Sequence, residues 1–248
     1  MTCSAKSSKK KFLVKAWVDH EKIPFEDTKA SNAKSVLHTI KLQPIVKLRN
    51  LVPYDMKYSI QDIDETYMLK SGDESDLPSV RLGETGIELR LCDYLERDWF
   101  CHQVFPSFGE EKEFFIWSFT PSSVNQNNRH VVDLAVTLTL EGSSLVVTIY
   151  SPFWMINKTS QELTYKVDDD RQIVHPSVFN SPVLLCFKPK KFFSKKKLSL
   201  AINDSCLSDD FSIDVVGSNG NIITKSKNGK KNSRSPKDKW PLWKKQIK

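Results

Sequence analysis

Two segments of this chain, 107 positions apart, follow one pattern. The first reads Val46-Lys47-Leu48-Arg49-Asn50 and continues to Met56, Tyr58 and Ile60. The second reads Phe153-Trp154-Met155-Ile156-Asn157 and continues to Leu163, Tyr165 and Val167. After each Asn the apolar positions fall at +6, +8 and +10, the period-2 signature of a strand with one buried face. A long repeat made of strands implies a modular β architecture in which each unit supports its neighbour. Such a scaffold points to binding rather than catalysis.

The shared Asn has a physical use at that place. It ends an apolar run and begins a polar link, where one amide both donates and accepts and so fixes a bend in the backbone. Asn50 and Asn157 are therefore candidate structural residues. If they also shape the edge of a binding groove, their loss damages fold and binding together.

The net charge of +7 misleads if taken whole. Residues 225–248 carry ten Lys or Arg against the single acid Asp238, so the tail holds +9 and the preceding 224 residues sum to −2. The folded part is not basic, and the charge of the whole says little about its partners. Lys188, Lys190, Lys191, Lys195, Lys196 and Lys197 crowd around Phe192 and Phe193. They read either as a solvated loop tip or as a contact for anionic lipid or an acidic peptide.

Five cysteines (Cys3, Cys92, Cys101, Cys186 and Cys206) form no Cys-X-X-Cys pair. Residues 1–11 are polar and basic rather than a secretory signal, and no run approaches the ~20 apolar residues that span a bilayer. Reduced thiols in a cytosolic protein are expected.

Along the chain, residues 1–11 are expected to be disordered and 12–35 to end a preceding β unit. Residues 36–131 form a first Asn-centred repeat, 132–224 a second and incomplete one, and 225–248 a disordered basic tail. Phe12 to Trp17 reads as a strand. Pro44 breaks the stretch 36–48, as suits an edge or bulge. Residues 70–79 read as a loop, and 93–97 offer at most one helical turn. The clearest hairpin sets Val132, Leu134, Val136, Leu138 and Leu140 against Leu145, Val147 and Ile149. Phe211, Ile213 and Val215 run into Gly217-Ser218-Asn219-Gly220, with Ile222-Ile223 as the expected return strand. The fold class is all-β: an antiparallel, sandwich-like repeat module of about one full repeat plus parts of its neighbours.

Motifs for chemistry are absent. The five histidines show no metal-ligand spacing. There is no Gly-rich phosphate loop, no Gly-X-Ser-X-Gly and no His-Glu-X-X-His. Asp168-Asp169-Asp170 lacks the spacing of a calcium loop. No enzyme, cofactor, metal or small-molecule substrate is expected. Nucleic acid is not an expected partner either, because the strands lack interleaved Lys and Arg.

Ser151-Pro152-Phe153-Trp154-Met155-Ile156-Asn157-Lys158-Thr159, followed by Leu163-Thr164-Tyr165, resembles the repeat signature of the adaptor-binding domain of the vacuolar protein sorting thirteen family. The stretch from Asp210-Phe211-Ser212-Ile213 to Gly217 is similar to a later part of the same repeat, and Arg49-Asn50-Leu51-Val52-Pro53-Tyr54 to the start of the preceding one. The likeness covers about residues 36–224. It implies a β-rich domain of very long bridge-like lipid-transfer proteins at membrane contact sites, one that captures adaptor proteins carrying Pro-X-Pro motifs. It further implies a structural and adaptor-binding role for Asn50 and Asn157. The chain departs from the family in lacking a lipid-channel segment and the carboxy-terminal targeting modules, so it is expected to be a fragment or short isoform. An interaction module that is cytoplasmic and peripheral at organelle membranes is the leading expectation. The alternative is an anionic-membrane binder acting through the Lys cluster and basic tail. Incomplete repeats are also expected to leave strand edges uncovered and to promote self-association.

Overall fold

The hairpin that reads most clearly in sequence anchors the fold. β11 (Val132–Glu141) and β12 (Ser144–Tyr150) pair antiparallel from Glu141 opposite Ser144 to Ala135 opposite Tyr150, around a turn in which Gly142 takes a positive φ of 63°. Strand β12 is buried along six of its seven residues, on both faces. It is flanked by β11 on one side and by β4 (Val46–Leu51) on the other. A strand covered on both faces needs no polar side, which is why Leu145-Val146-Val147 runs unbroken.

This computed structural model describes residues 2–4, 11–24, 34–107, 114–121, 131–167, 171–187, 196–213 and 221–225. The described residues contain strands and turns with no helix, in two compact units, Met1–Ser151 and Pro152–Lys248. The all-β, antiparallel-rich architecture read from the sequence is the architecture observed.

In the first unit a nine-stranded ladder adds β5 (Met56–Ile60), β6 (Thr66–Leu69), β7 (Glu74–Leu77), β8 (Gly86–Tyr94), β9 (Arg97–Val104) and β10 (Phe114–Pro121) to these strands. The order is β6-β5-β8-β9-β10-β11-β12-β4-β7. Every pairing is antiparallel except β12 with β4, which is parallel. Strand β10 turns the ladder: Phe114 to Phe119 pair with β11, whereas Thr120 and Pro121 pair with β9. The two ends then meet. β6 and β7 are the terminal strands, yet only residues 70–73 separate them in sequence, and the hydroxyls of Tyr58 on β5 and Ser75 on β7 lie 2.5 Å apart. Met56, Tyr58, Ile60, Ile87, Leu89, Leu91, Val46, Leu48, Phe105 and Phe119 fill the interior. Both edge strands are four residues long, a length that limits edge-to-edge pairing.

Ahead of this ladder, β1 (Thr2–Ser4), β2 (Lys11–Pro24) and β3 (Lys34–Pro44) form an antiparallel sheet. Pro44 closes β3, and the chain bends at Ile45 into β4. Val18, Leu37, Ile40 and Leu42 on this sheet are exposed.

The second unit repeats six strands of the first. β13 (Phe153–Met155) pairs with β16 (Val183–Leu185), as β4 pairs with β7. β14 (Leu163–Lys166) lies between β15 (Gln172–His175) and β17 (Lys197–Ile202), as β5 lies between β6 and β8. β18 (Phe211–Ser212) completes the set beside β17, in the place of β9 beside β8. Leu163, Tyr165 and Val167 are buried, like Met56, Tyr58 and Ile60.

Four local expectations change. The segment 70–79, whose acids and serine suggest a loop, contains β7. Its backbone ladders onto β4, and of its four residues only Leu77 is buried. The acidic stretch 93–97 is a bulged hairpin turn, with Asp93, Leu95 and Glu96 at positive φ. Thr2–Ser4 is a strand rather than a disordered end, because Lys11 to Leu13 offer backbone pairing whatever the side chains. Ile222 and Ile223 are not in a strand, and the Cys206 N–H instead donates to the Lys225 carbonyl at 2.6 Å. The 217–220 turn, the triple Asp at 168–170 and the tail from 226 lie outside the described residues.

The parallel joint makes a prediction. Ile149→Ala empties a fully buried site between β11 and β4 and should cost about 2–5 kcal/mol in urea unfolding. Leu42→Ala, 107 positions earlier but exposed, should change stability by less than about 0.5 kcal/mol in dilute protein.

Candidate functional site

Asn50 sits fully buried near the end of β4, where the chain leaves for β5. Its Oδ1 accepts the Val52 N–H at 2.9 Å, and its Nδ2 donates to the Tyr54 carbonyl at 2.8 Å. The same amide nitrogen reaches the Leu69 and Lys70 carbonyls at 3.3 and 3.2 Å. The backbone joins in: the Asn50 N–H donates to the Asp73 carbonyl at 3.0 Å, and the Asn50 carbonyl accepts the Gly72 N–H at 2.8 Å. One residue thus ties the β4–β5 turn to the β6–β7 link that closes the ladder. Gly72 takes a φ of 84° there, which an L side chain rarely adopts.

Asn157 repeats the local part of this pattern. Its Oδ1 accepts the Thr159 N–H at 3.0 Å and the Thr159 hydroxyl at 2.7 Å, and its Nδ2 donates to the Gln161 carbonyl at 2.7 Å. Acceptance from residue +2 and donation to residue +4 are common to both copies. The cross-tie differs. Asn203, at a φ of 48°, accepts the Glu162 N–H at 3.1 Å, donates from its own N–H to the Glu162 carbonyl at 2.8 Å, and donates from Nδ2 to Gln161 Oε1 at 2.7 Å. Sequence reasoning did not single out Asn203 as a site residue. Its usable signal is an Asn directly after the alternating run Leu198-Leu200-Ile202.

The outer faces beside the two asparagines carry opposite chemistry. On β4 the Arg49 guanidinium donates twice to the Glu141 carboxylate, both at 2.8 Å, and from Nε to Glu74 at 2.7 Å. Lys47 adds contacts of 3.5 and 3.8 Å to Glu74 and Asp76. Hydrogen bonds to Glu141 and then Glu74 hold the Arg49 pKa above its ordinary value, and the bond from Arg49 holds the Glu141 carboxyl below its own. In the second copy the positions of Lys47 and Arg49 are taken by Trp154 and Ile156, both exposed. Of the Lys cluster, Lys196 and Lys197 are described and exposed, with the Lys196 ammonium 5.2 Å from the Phe153 ring centre. Lys188, Lys190, Lys191 and Lys195 lie outside the described residues.

Buried titratable groups are held within the fold. His175 is fully buried with Nε2 2.9 Å from the Phe179 carbonyl and Nδ1 3.0 Å from the Tyr165 hydroxyl. A carbonyl only accepts, so Nε2 carries the proton and Nδ1 receives the phenol's, a neutral imidazole satisfied at both ends. Burial lowers the His175 pKa, against the bond to Phe179, and raises that of Tyr165. Burial likewise pushes the Cys101 thiol up to about 11, away from thiolate chemistry. An open depression of about 260 Å³ is lined by Phe105, Pro106, Phe115, Trp117, Gln103 and Ser107 among others, without a carboxylate, imidazole, amine or thiol. No group of three or more His, Cys, Asp or Glu is placed to hold a metal among the described residues.

A family model described as vacuolar-sorting associated protein 13, adaptor binding domain, matches residues 1–235. The chain is 33% identical over 223 residues to mouse (Mus musculus) intermembrane lipid transfer protein VPS13A, covering 90% of this chain and 7% of that protein. It is 36% identical over 185 residues to human (Homo sapiens) intermembrane lipid transfer protein VPS13C, covering 75% and 5% respectively. Identity to the human protein VPS13D is 25% over 174 residues, covering 67% and 4%. The chain thus spans less than a tenth of the length of the curated relatives it matches.

Two measurements check this reading of the polar groups. Asn157→Ala strands the Thr159 and Gln161 backbone groups and should cost about 1–3 kcal/mol, whereas Asn180→Ala, at an exposed turn, should cost far less. For His175 the unfolded chain takes up the proton first, because the folded pKa lies below the ordinary 6.5. Its contribution is full above that pH, declines as pH falls through it, and goes on declining until the folded imidazole titrates. Urea midpoints measured across that range should show the slope, and His175→Gln should flatten it.

Proposed function

Because the chain belongs to the adaptor-binding-domain family of vacuolar-sorting associated protein 13, matched over residues 1–235, we propose that it localises a lipid-transfer protein by capturing adaptor proteins through proline-motif peptides. The observation that carries this reading is the family match. The asparagine turns give it a structural footing: a buried amide at the same place in each repeat fixes where a β4-type strand ends and how the next begins. Surface that a partner meets is then held by rigid elements and is free to vary, as Arg49 and Ile156 do.

On this reading the chain acts in the cytoplasm, peripheral to organelle membranes or contact sites. Among the described residues no helix is long and apolar enough to cross a membrane. Lipid transfer itself belongs to the relatives' names and is a property of proteins more than ten times longer in span. Asn50 and Asn157 act here as positioning residues, since their side-chain bonds are satisfied by neighbouring backbone rather than held out to a ligand.

A pull-down with immobilised Pro-X-Pro peptides tests the proposal. The full chain should be retained, retention should survive removal of residues 226–248, and Asn157→Ala should weaken it several-fold. Retention only on anionic liposomes, lost with the tail and weakened by salt, would instead support membrane binding through the lysines.

A further inference from the structure

The two copies tie the same turn in different ways. In the first, β6 ends at Leu69 and residues 70–73 lead to β7, with the Asp73 N–H donating to the Lys70 carbonyl at 3.1 Å. In the second, β15 ends at His175 and the chain turns at 176–179, with the Phe179 N–H donating to the Pro176 carbonyl at 3.1 Å. Leu69 stands opposite Met56 and His175 opposite Leu163, so His175 takes the place of a buried leucine. The Asp73 carbonyl accepts the backbone N–H of Asn50, a donor that keeps its proton at any ordinary pH. The Phe179 carbonyl, at the matching place, accepts from Nε2 of His175. Asn157 does not reach this turn: among the described residues its bonds go to Thr159 and Gln161. A donor that titrates thus stands where the first copy has one that does not.

The surroundings of His175 suit only the neutral ring. Nδ1 receives the Tyr165 hydroxyl proton, and once Nδ1 carries a proton of its own, two hydrogens face one another and the phenol must turn away. The ring's described partners are that hydroxyl and the Phe179 carbonyl, neither of them charged. Glu162, Lys166 and Lys197 alternate with the buried Leu163, Tyr165 and Leu198 and lie on the opposite face of the sheet. Arg171, ahead of β15, donates to the Cys186 carbonyl at 3.1 Å, and β13, β16 and β18 contain no charged residue. Burial accordingly outweighs the Phe179 bond and lowers the His175 pKa. An imidazolium here must find water, and its way out is short. His175 is the last residue of β15, and none of residues 176–182 is buried.

We infer that His175 is a proton-operated latch on the link 176–182 between β15 and β16. Neutral, the ring closes the link onto β14 through Tyr165 and Phe179. Protonated, it swings out to water and releases Phe179 and the start of β16, while Leu163 and Tyr165 keep their ladder with β17. Val183, at the start of β16, stands opposite Met155 on β13, so release loosens the three-pair ladder that carries Trp154. The first copy, closed through the Asn50 backbone, does not respond. Acid thus changes one copy and leaves the other as it was.

Amide hydrogen–deuterium exchange on the full 248-residue chain, followed from neutral to mildly acid pH and corrected for the intrinsic pH dependence of exchange, tests this. Protection over residues 176–185 should fall by up to about tenfold for each pH unit below the ordinary 6.5, until the folded imidazole titrates. Protection over 70–73 and over β17 should hold. His175→Gln can still donate to the Phe179 carbonyl but does not titrate, and should keep the link protected across the range. Tyr165→Phe removes the donor that favours the neutral ring, and should move the release to higher pH without abolishing it. A parent link whose corrected protection is independent of pH overturns the inference. So does protection over 176–185 that is lost only together with that of β17, which is unfolding of the unit rather than release of a link. Unchanged pH dependence in His175→Gln, or an unmoved midpoint in Tyr165→Phe, overturns it equally.

Discussion

A buried amide that must satisfy all its polar groups sets the plan of the first unit. Asn50 has no access to water, so each of its groups has to find a partner in the chain. It finds them in two places, the turn to Tyr54 and the link from Leu69 to Asp73. Those two places are the segments that carry the chain between the ends of the ladder. The link between the two end strands is tied to this amide, and nearby Tyr58 approaches Ser75 while Met56, Tyr58 and Ile60 are buried. Asn157 inherits the turn but shares the cross-tie with Asn203, so the second copy reaches a similar geometry through two amides.

Fixing the backbone this way leaves the outward positions free to change character. Arg49 with Glu74 and Glu141 makes a charged clasp over β4, and Trp154 with Ile156 makes an apolar strip on β13, on the same local frame. Partly exposed ion pairs of this sort contribute little to stability, and their larger effect is to exclude the wrong neighbour. An apolar strip does the reverse and invites a cover. The two copies in this chain thus differ in the chemistry of their outer faces more than in their local backbone plan.

Period-2 alternation made the β11–β12 hairpin and both Asn-centred segments legible, because apolar residues recur at every second position along them. β7 escaped because Glu74-Ser75-Asp76-Leu77 has almost no apolar content. Its strand character comes from the backbone ladder on β4, which no local pattern reveals. The 93–97 turn escaped because a bulge shifts the register between Leu91 and Tyr94 and three non-Gly residues take positive φ. The asparagines were legible as bends. Their long-range partners were not, since the carbonyls of Leu69 and Lys70 look like any others in the sequence.

The parallel seam between β4 and β12 also governs when the unit becomes whole. Its two strands lie about a hundred residues apart in the chain, so the seam closes a long loop for which no local contact prepares the way. During synthesis β4 emerges some twenty residues before β7 but about a hundred before the hairpin around residue 142, so one of its edges can be paired well before the other. Throughout that interval a nascent chain presents an unpaired strand edge to whatever is nearby, including the next chain on the same message. Speed of elongation through residues 52–144 therefore sets how long the growing polypeptide must be shielded.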